Sequence, residues 1–314
     1  MTLFSVIIPV FNRANLISQT LGSVLAQKTD DYEVIVVDDG STDGTIEVLN
    51  QYSEVVTILR QTNKGPGAAR NLGIMHARGQ YIAFLDSDDL WFPWTLSIFK
   101  SAIEEFDTPA FIAGTEHHFR DEAELNKIQA TPPIFEFFED YYTTAHRSFW
   151  IGTCAVAIKA DFLYQAGAFS NRSFNAEDSD LWLKLGVAPG FVYIHSPTIF
   201  GYRQHSNSAV SNQEKTYRGI CYLIQQEKTG AYPGNKPRYK ERRILVTSHV
   251  RSTSFGCLKQ GHFKQGWRLY QETLLWHLQL GRLKYIIGFP IAVGLSWLRK
   301  QFSLDTDIYR RVKR

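Results

Sequence analysis

The chain has 314 residues, 44% of them apolar and 21% charged, which supplies enough hydrophobic mass for a buried core and excludes a disordered polar chain. A formal charge of only +3 removes the whole-chain case for a nucleic-acid partner. Three widely spaced cysteines, Cys154, Cys221 and Cys257, with no Cys-x-x-Cys, argue against a disulfide framework and a zinc site and fit a reducing, cytoplasmic setting.

The first thirteen residues, "MTLFSVIIPVFNR", lack the basic start and cleavage site of a signal peptide and read as a first strand over 3–10. Its nearly unbroken Val/Ile content suits a strand buried on both faces. The apolar spacing of "ANLISQTLGSVLAQ" predicts a helix over 14–27, and "YEVIVVDDG" predicts a second buried strand over 32–40. The alternation continues through a helix near 44–52, a strand over 55–61, a helix over 67–77 opened by Pro66, and a strand over 80–86. Such β-α-β alternation predicts an α/β, Rossmann-like, doubly wound and mainly parallel sheet, with ligands outside the carboxyl ends of its strands.

Acidic residues collect at those ends. Asp38 and Asp39 close the second strand, while Asp86, Asp88 and Asp89 follow the fourth. Carboxylates held close repel one another unless a cation intervenes, and oxygen-rich sites of this kind suit Mg²⁺ or Mn²⁺. A lone Asp-x-Asp is commonly just a solvated turn, but a second acidic strand end beside it favours a shared site.

Four stretches, "SVIIPVFNR" (5–13), "VIVVDDGSTDGT" (34–45), "NKGPGAARNLGI" (63–74) and "FLDSDD" (84–89), together resemble the inverting family 2 glycosyltransferases of the GT-A fold. Downstream, "NAEDSDLWLKL" (175–185) looks like the family's Glu-Asp motif and "YRQHSNSAVS" (202–211) like its C-terminal histidine segment. The resemblance implies that Pro9, Phe11, Asn12, Arg13, Asp38 and Asp39 surround the nucleotide, with Arg70 on its base or diphosphate and Asp86 near the ribose. It implies Asp88 and His205 as metal ligands and Asp178 as the general base, with Asp180 its rival. Gly152 and Thr153 would border donor sugar and acceptor. The glycines at 65 and 67 fall short of a full dinucleotide fingerprint, which disfavours NAD.

The division expected is a GT-A catalytic domain over 1–211, with a nucleotide-binding half over 1–100 and an acceptor half over 101–211, followed by a helical, basic C-terminal extension over 212–314. That extension contains "KPRYKERR" (236–243) and the fourteen-residue apolar run "YIIGFPIAVGLSWL" (285–298), short of the ~18–20 residues that span a bilayer. Residues 299–314 hold six basic side chains against two acidic ones, so peripheral contact with the inner face of a membrane is expected there. The activity expected is transfer from a nucleotide-sugar donor, UDP-linked, to a hydroxyl on a glycan or glycolipid acceptor. Transfer to polyprenyl phosphate, or a non-catalytic sugar-nucleotide or glycan-binding module, are the alternatives.

Overall fold

The computed structural model describes residues 2–147, 149–172, 174–204 and 212–312. The chain divides into two compact units, Met1–Ser173 with Glu177–Ser211, and Phe174–Ala176 with Asn212–Arg314.

The first unit alternates as its periodicity predicts: β1 (Phe4–Val10), α1 (Ile17–Leu25), β2 (Tyr32–Asp38), α2 (Thr45–Asn50), β3 (Thr57–Arg60), α3 (Pro66–His76) and β4 (Tyr81–Phe84). Next come β5 (Leu90–Trp91), α4 (Thr95–Glu105), β6 (Phe111–Gly114), β7 (Glu116–Phe119), β8 (Ile134–Phe138), β9 (Val156–Lys159), α5 (Ala160–Gln165), α6 (Glu177–Lys184), β10 (Phe191–Ser196) and β11 (Phe200–Arg203). Eight strands form one sheet in the order β3-β2-β1-β4-β9-β6-β10-β8, and β5-β11-β7 form a second.

β1 is buried along its whole length because parallel neighbours flank it, β2 on one edge and β4 on the other. Beyond β4 the parallel pattern breaks. β9 enters antiparallel between β4 and β6, and β8 closes the edge antiparallel to β10. The sheet is therefore mixed but mostly parallel, in the GT-A manner. The register pairs Val10 with Asp38 and Ile7 with Phe84, so chain leaving β1, β2 and β4 emerges on one rim.

Element ends differ from the sequence pattern by a few residues. α1 starts at Ile17 rather than 14, since the Arg13 carbonyl accepts from both Leu16 and Ile17 and holds the preceding residues in a turn. Gly65, at φ +91°, turns the chain into α3, where Pro66 occupies the first helical position with no N–H to lose.

The second unit contains α7 (Gln213–Thr229), α8 (Tyr239–Lys259), α9 (Phe263–Gln279) and α10 (Leu283–Val312). Leu258, Tyr270, Tyr285 and Phe289 form its apolar centre. Gly266 lets α9 approach α8 closely, because a Cβ there would lie 2.9 Å from the Ser254 carbonyl oxygen. The basic stretch 236–243 is not simply a solvated face. Arg242 is buried, donating Nε to Glu227 at 2.6 Å and its NH1 to the carbonyls of Pro233 and Asn235.

Candidate active site

The loop after β1 is clamped to the loop after β2. Asn12 adopts a left-handed backbone, φ 53°, which aims its N–H at Ser41 Oγ, 2.9 Å away, while its Oδ1 accepts from the Thr42 N–H at 2.8 Å. The Arg13 N–H donates to Thr45 Oγ1 at 2.9 Å. Pro9 is buried in β1, whereas Phe11 stands 42% exposed.

Asp38 and Asp39 brace these loops. Asp38 is fully buried, its Oδ1 accepting from the Ser41 N–H at 3.0 Å and its Oδ2 lying 3.0 Å from Arg60 Nε. Asp39 Oδ1 accepts from Gln61 Nε2 and the Lys64 N–H, while Oδ2 accepts from the Gly65 N–H at 2.8 Å. A carboxylate oxygen carries two lone pairs, so Oδ2 keeps room for one further N–H.

Two guanidinium groups stand among the positive partners of the Asp86–Asp89 cluster. Arg70, buried in α3, donates to Asp86 Oδ1 at 2.6 Å and to Glu177 Oε1 at 3.1 Å, tying the end of β4 to the start of α6. Its guanidinium also lies over the Phe169 ring, 5.2 Å from the centroid. Burial opposes its charge, but Asp86 and Glu177 outweigh that and raise its pKa above the usual arginine value. Arg13 Nε meets Asp88 Oδ2 at 3.1 Å.

Asp89 turns inward. It is 2% exposed, accepts the Arg203 N–H at 2.8 Å and the Cys154 thiol at 3.3 Å, and burial pushes its pKa well up. Arg203 also donates Nε to the Asp88 carbonyl, locking β11 against this turn. The sequence pattern marks neither Arg203 nor Cys154 as a site residue. Arg203 stands two residues from His205, and a buried thiol leaves no pattern.

The donor set discriminates between places for a divalent ion. Ligand atoms of Asp86, Asp89 and Cys154 lie within 4.8 Å of one another, yet burial raises the Cys154 pKa and keeps this soft donor protonated. Asp86 and Asp88 offer hard oxygens, with side chains 37% and 19% exposed, the donor chemistry that suits Mg²⁺ or Mn²⁺. His205 lies outside the described residues.

Glu177, Asp178 and Asp180 occupy the first turn of α6. Asp180 is fully buried and paired with Lys184 Nζ at 2.7 Å, while Asp178 is half-buried and accepts the Ser179 N–H through Oδ1 at 2.6 Å. Burial raises the pKa of Asp178, and of Glu177 beside it. Gly152 packs beneath the ring of Trp150, where a Cβ would come within 2.5 Å, and Thr153 is buried. Trp150 itself is 55% exposed.

Replacing Arg70 by Leu strips the bridge of its guanidinium. We expect a loss of roughly 3 kcal/mol at neutral pH, the low end for breaking a buried pair because Asp86 is partly solvated. Without Arg70 the folded-state pKa of Glu177 climbs further above its unfolded value, so the folded protein binds the proton more tightly and stability falls as pH rises. The deficit should therefore shrink toward pH ~4. Thermal melts of both proteins across pH check this, and a deficit independent of pH would refute the electrostatic account.

The family model "Glycosyl transferase family 2" matches residues 5–165, slightly more than half of the chain. The chain belongs to this family. A putative teichuronic acid biosynthesis glycosyltransferase, TuaG of Bacillus subtilis, is 30% identical over 230 residues, covering 71% of this chain and 88% of that one. An uncharacterized glycosyltransferase of Rickettsia felis is 32% identical over 198 residues, 59% of this chain but 30% of its own length. The chain thus spans under a third of the first curated relatives it matches. Among solved structures, residues 1–349 of S. aureus TarS in complex with UDP superpose with a TM-score of 0.63 at 21% identity, covering 82% of this chain and 73% of that one, a likeness of fold. The family 2 glycosyltransferase described here places Asp38, Asp39, Asp86, Asp88 and the Glu177–Asp178 pair within one compact unit.

Proposed function

We propose that this chain transfers a sugar, with inversion, from a nucleoside-diphosphate donor to a hydroxyl of a glycan or glycolipid acceptor in cell-envelope polysaccharide assembly. The observation that carries the reading is the Asp86–Arg70–Glu177 bridge, which brings the end of β4, where Asp88 stands, to the helix turn bearing Asp178. The teichuronic acid assignment of the relative and the UDP held by TarS support the polymer class and a UDP-linked donor.

In this reading Phe11, Asn12 and Asp39 hold the base over Pro9 and Asp38, with Arg13 and Asp86 near ribose and diphosphate. Asp88 and His205, with Asp86 beside them, would hold a divalent ion, whose charge would offset that of the departing diphosphate. Asp178, whose Oδ1 is occupied by Ser179, takes the acceptor hydroxyl proton on Oδ2. The acceptor oxygen forms its bond to the anomeric carbon from the face opposite the breaking carbon–diphosphate bond, which inverts the centre. The exposed Trp150 face beside Gly152 suits a sugar ring on the acceptor side. The C-terminal tail would bring the enzyme to a membrane surface, where glycolipid acceptors reside.

A thermal-shift series with Mn²⁺ tests donor binding. UDP or a UDP-sugar at ~100 times its Kd should stabilise the protein by about 2.7 kcal/mol. Absence of any shift with uridine and guanosine diphosphates and their sugars would overturn the reading.

A further inference from the structure

α10 is apolar on two sides. Tyr285 and Phe289, with Ala292 and Val293, pack into the centre of the helical unit against Leu258 and Tyr270. The other side is bare: Leu283 is 61% exposed, Ile287 60%, Ile291 57%, Leu295 54% and Leu298 43%. At 100° per residue these five lie within an arc of ~120°, running ~24 Å along the helix. Lys284 is the sole charged residue of the span 283–298, and no acidic residue interrupts it. Soluble proteins rarely leave such a strip in water.

Two features decide what covers it. Among the described residues, no helix is long and apolar enough to cross a membrane, so this face suits a surface along which the helix lies. The sequence beyond it, residues 299–314, carries Arg299, Lys300, Arg310, Arg311, Lys313 and Arg314 against Asp305 and Asp307, an excess of six minus two, or +4. That charge attracts anionic headgroups and repels the same tail on a second copy. We infer that the Leu283–Leu298 face of α10 enters the headgroup–acyl boundary of an anionic bilayer, with the basic segment beyond it on the headgroups. The inference deepens the membrane-contact part of the proposed function and does not depend on sugar transfer.

Flotation of the full chain with vesicles of phosphatidylcholine and phosphatidylglycerol tests it. The wild-type chain is expected to float, and to remain bound in high salt, since screening weakens headgroup attraction but not apolar insertion. Ile287→Glu combined with Ile291→Glu alters only exposed positions, so the helices should persist by circular dichroism while partitioning falls ~10-fold or more. A wild-type chain that stays in the soluble fraction overturns both the inference and the membrane contact. A Glu variant that floats like the wild type, while a variant with Arg310, Arg311, Lys313 and Arg314 changed to Gln does not, keeps the tail contact and overturns insertion. A wild-type dimer in lipid-free light scattering that the Glu variant abolishes assigns the face to a second copy instead.

Discussion

An Asp178→Asn enzyme is expected to bind donor normally and to lose transfer by ~10²–10⁴, the usual worth of a positioned base. Asparagine keeps the hydrogen bond from Ser179 through its carbonyl oxygen but cannot take a proton from the acceptor. The neighbouring carboxylate is poorly placed to substitute, being fully buried and held by Lys184. Asp180→Asn should thus reduce stability more than turnover. Burial also moves the acidic limb of the wild-type profile: a base with a raised pKa becomes competent only as pH climbs past that higher value, so activity at pH ~5 should lie below what an ordinary aspartate would allow. The limb should flatten in the Asn variant. Near-normal turnover at 178 with collapse at 180 would reverse the assignment.

The second large effect is expected at Asp88. Asp88→Ala should abolish transfer and weaken Mn²⁺ binding, measured directly by electron paramagnetic resonance, while the melting temperature stays near that of the wild type. The fold tolerates the change because Arg13 remains anchored through its main-chain N–H to Thr45 and its guanidinium to the Asn12 carbonyl. With Arg13 and Arg70 already countering the rim, the protein needs no cation to fold, so excess EDTA should silence transfer without unfolding it. Full activity in EDTA would remove the ion from the mechanism.

The parallel half of the sheet was legible because a strand buried on both faces must be largely apolar, as 34–37 and, with Ser5 its polar exception, 4–10 are. The antiparallel insertion of β9 was not. Its four residues, Val156–Lys159, have no period of their own, and only tertiary pairing with β4 and β6 places them. At the rim, the aspartates were visible as a cluster, but the sequence pattern pointed to a cation alone. Arg70 lies 107 residues from Glu177, a separation no local pattern can bridge. Asp89 reads as equal to its neighbours in the sequence, and its burial with hydrogen bonds from Arg203 and Cys154 shows that it faces inward.

Glu227 and Arg242 form a buried pair in the helical unit, 1% and 5% exposed. Removing Glu227 strands the buried Arg242 guanidinium, and removing Arg242 leaves buried Glu227 with the longer Arg243 contact at 3.5 Å, a loss of up to about 3–5 kcal/mol, while replacing both by apolar groups can be neutral or better. No single substitution leads safely from one state to the other. These two positions are evolutionarily locked, and descendants of this chain should either keep both residues or change them together.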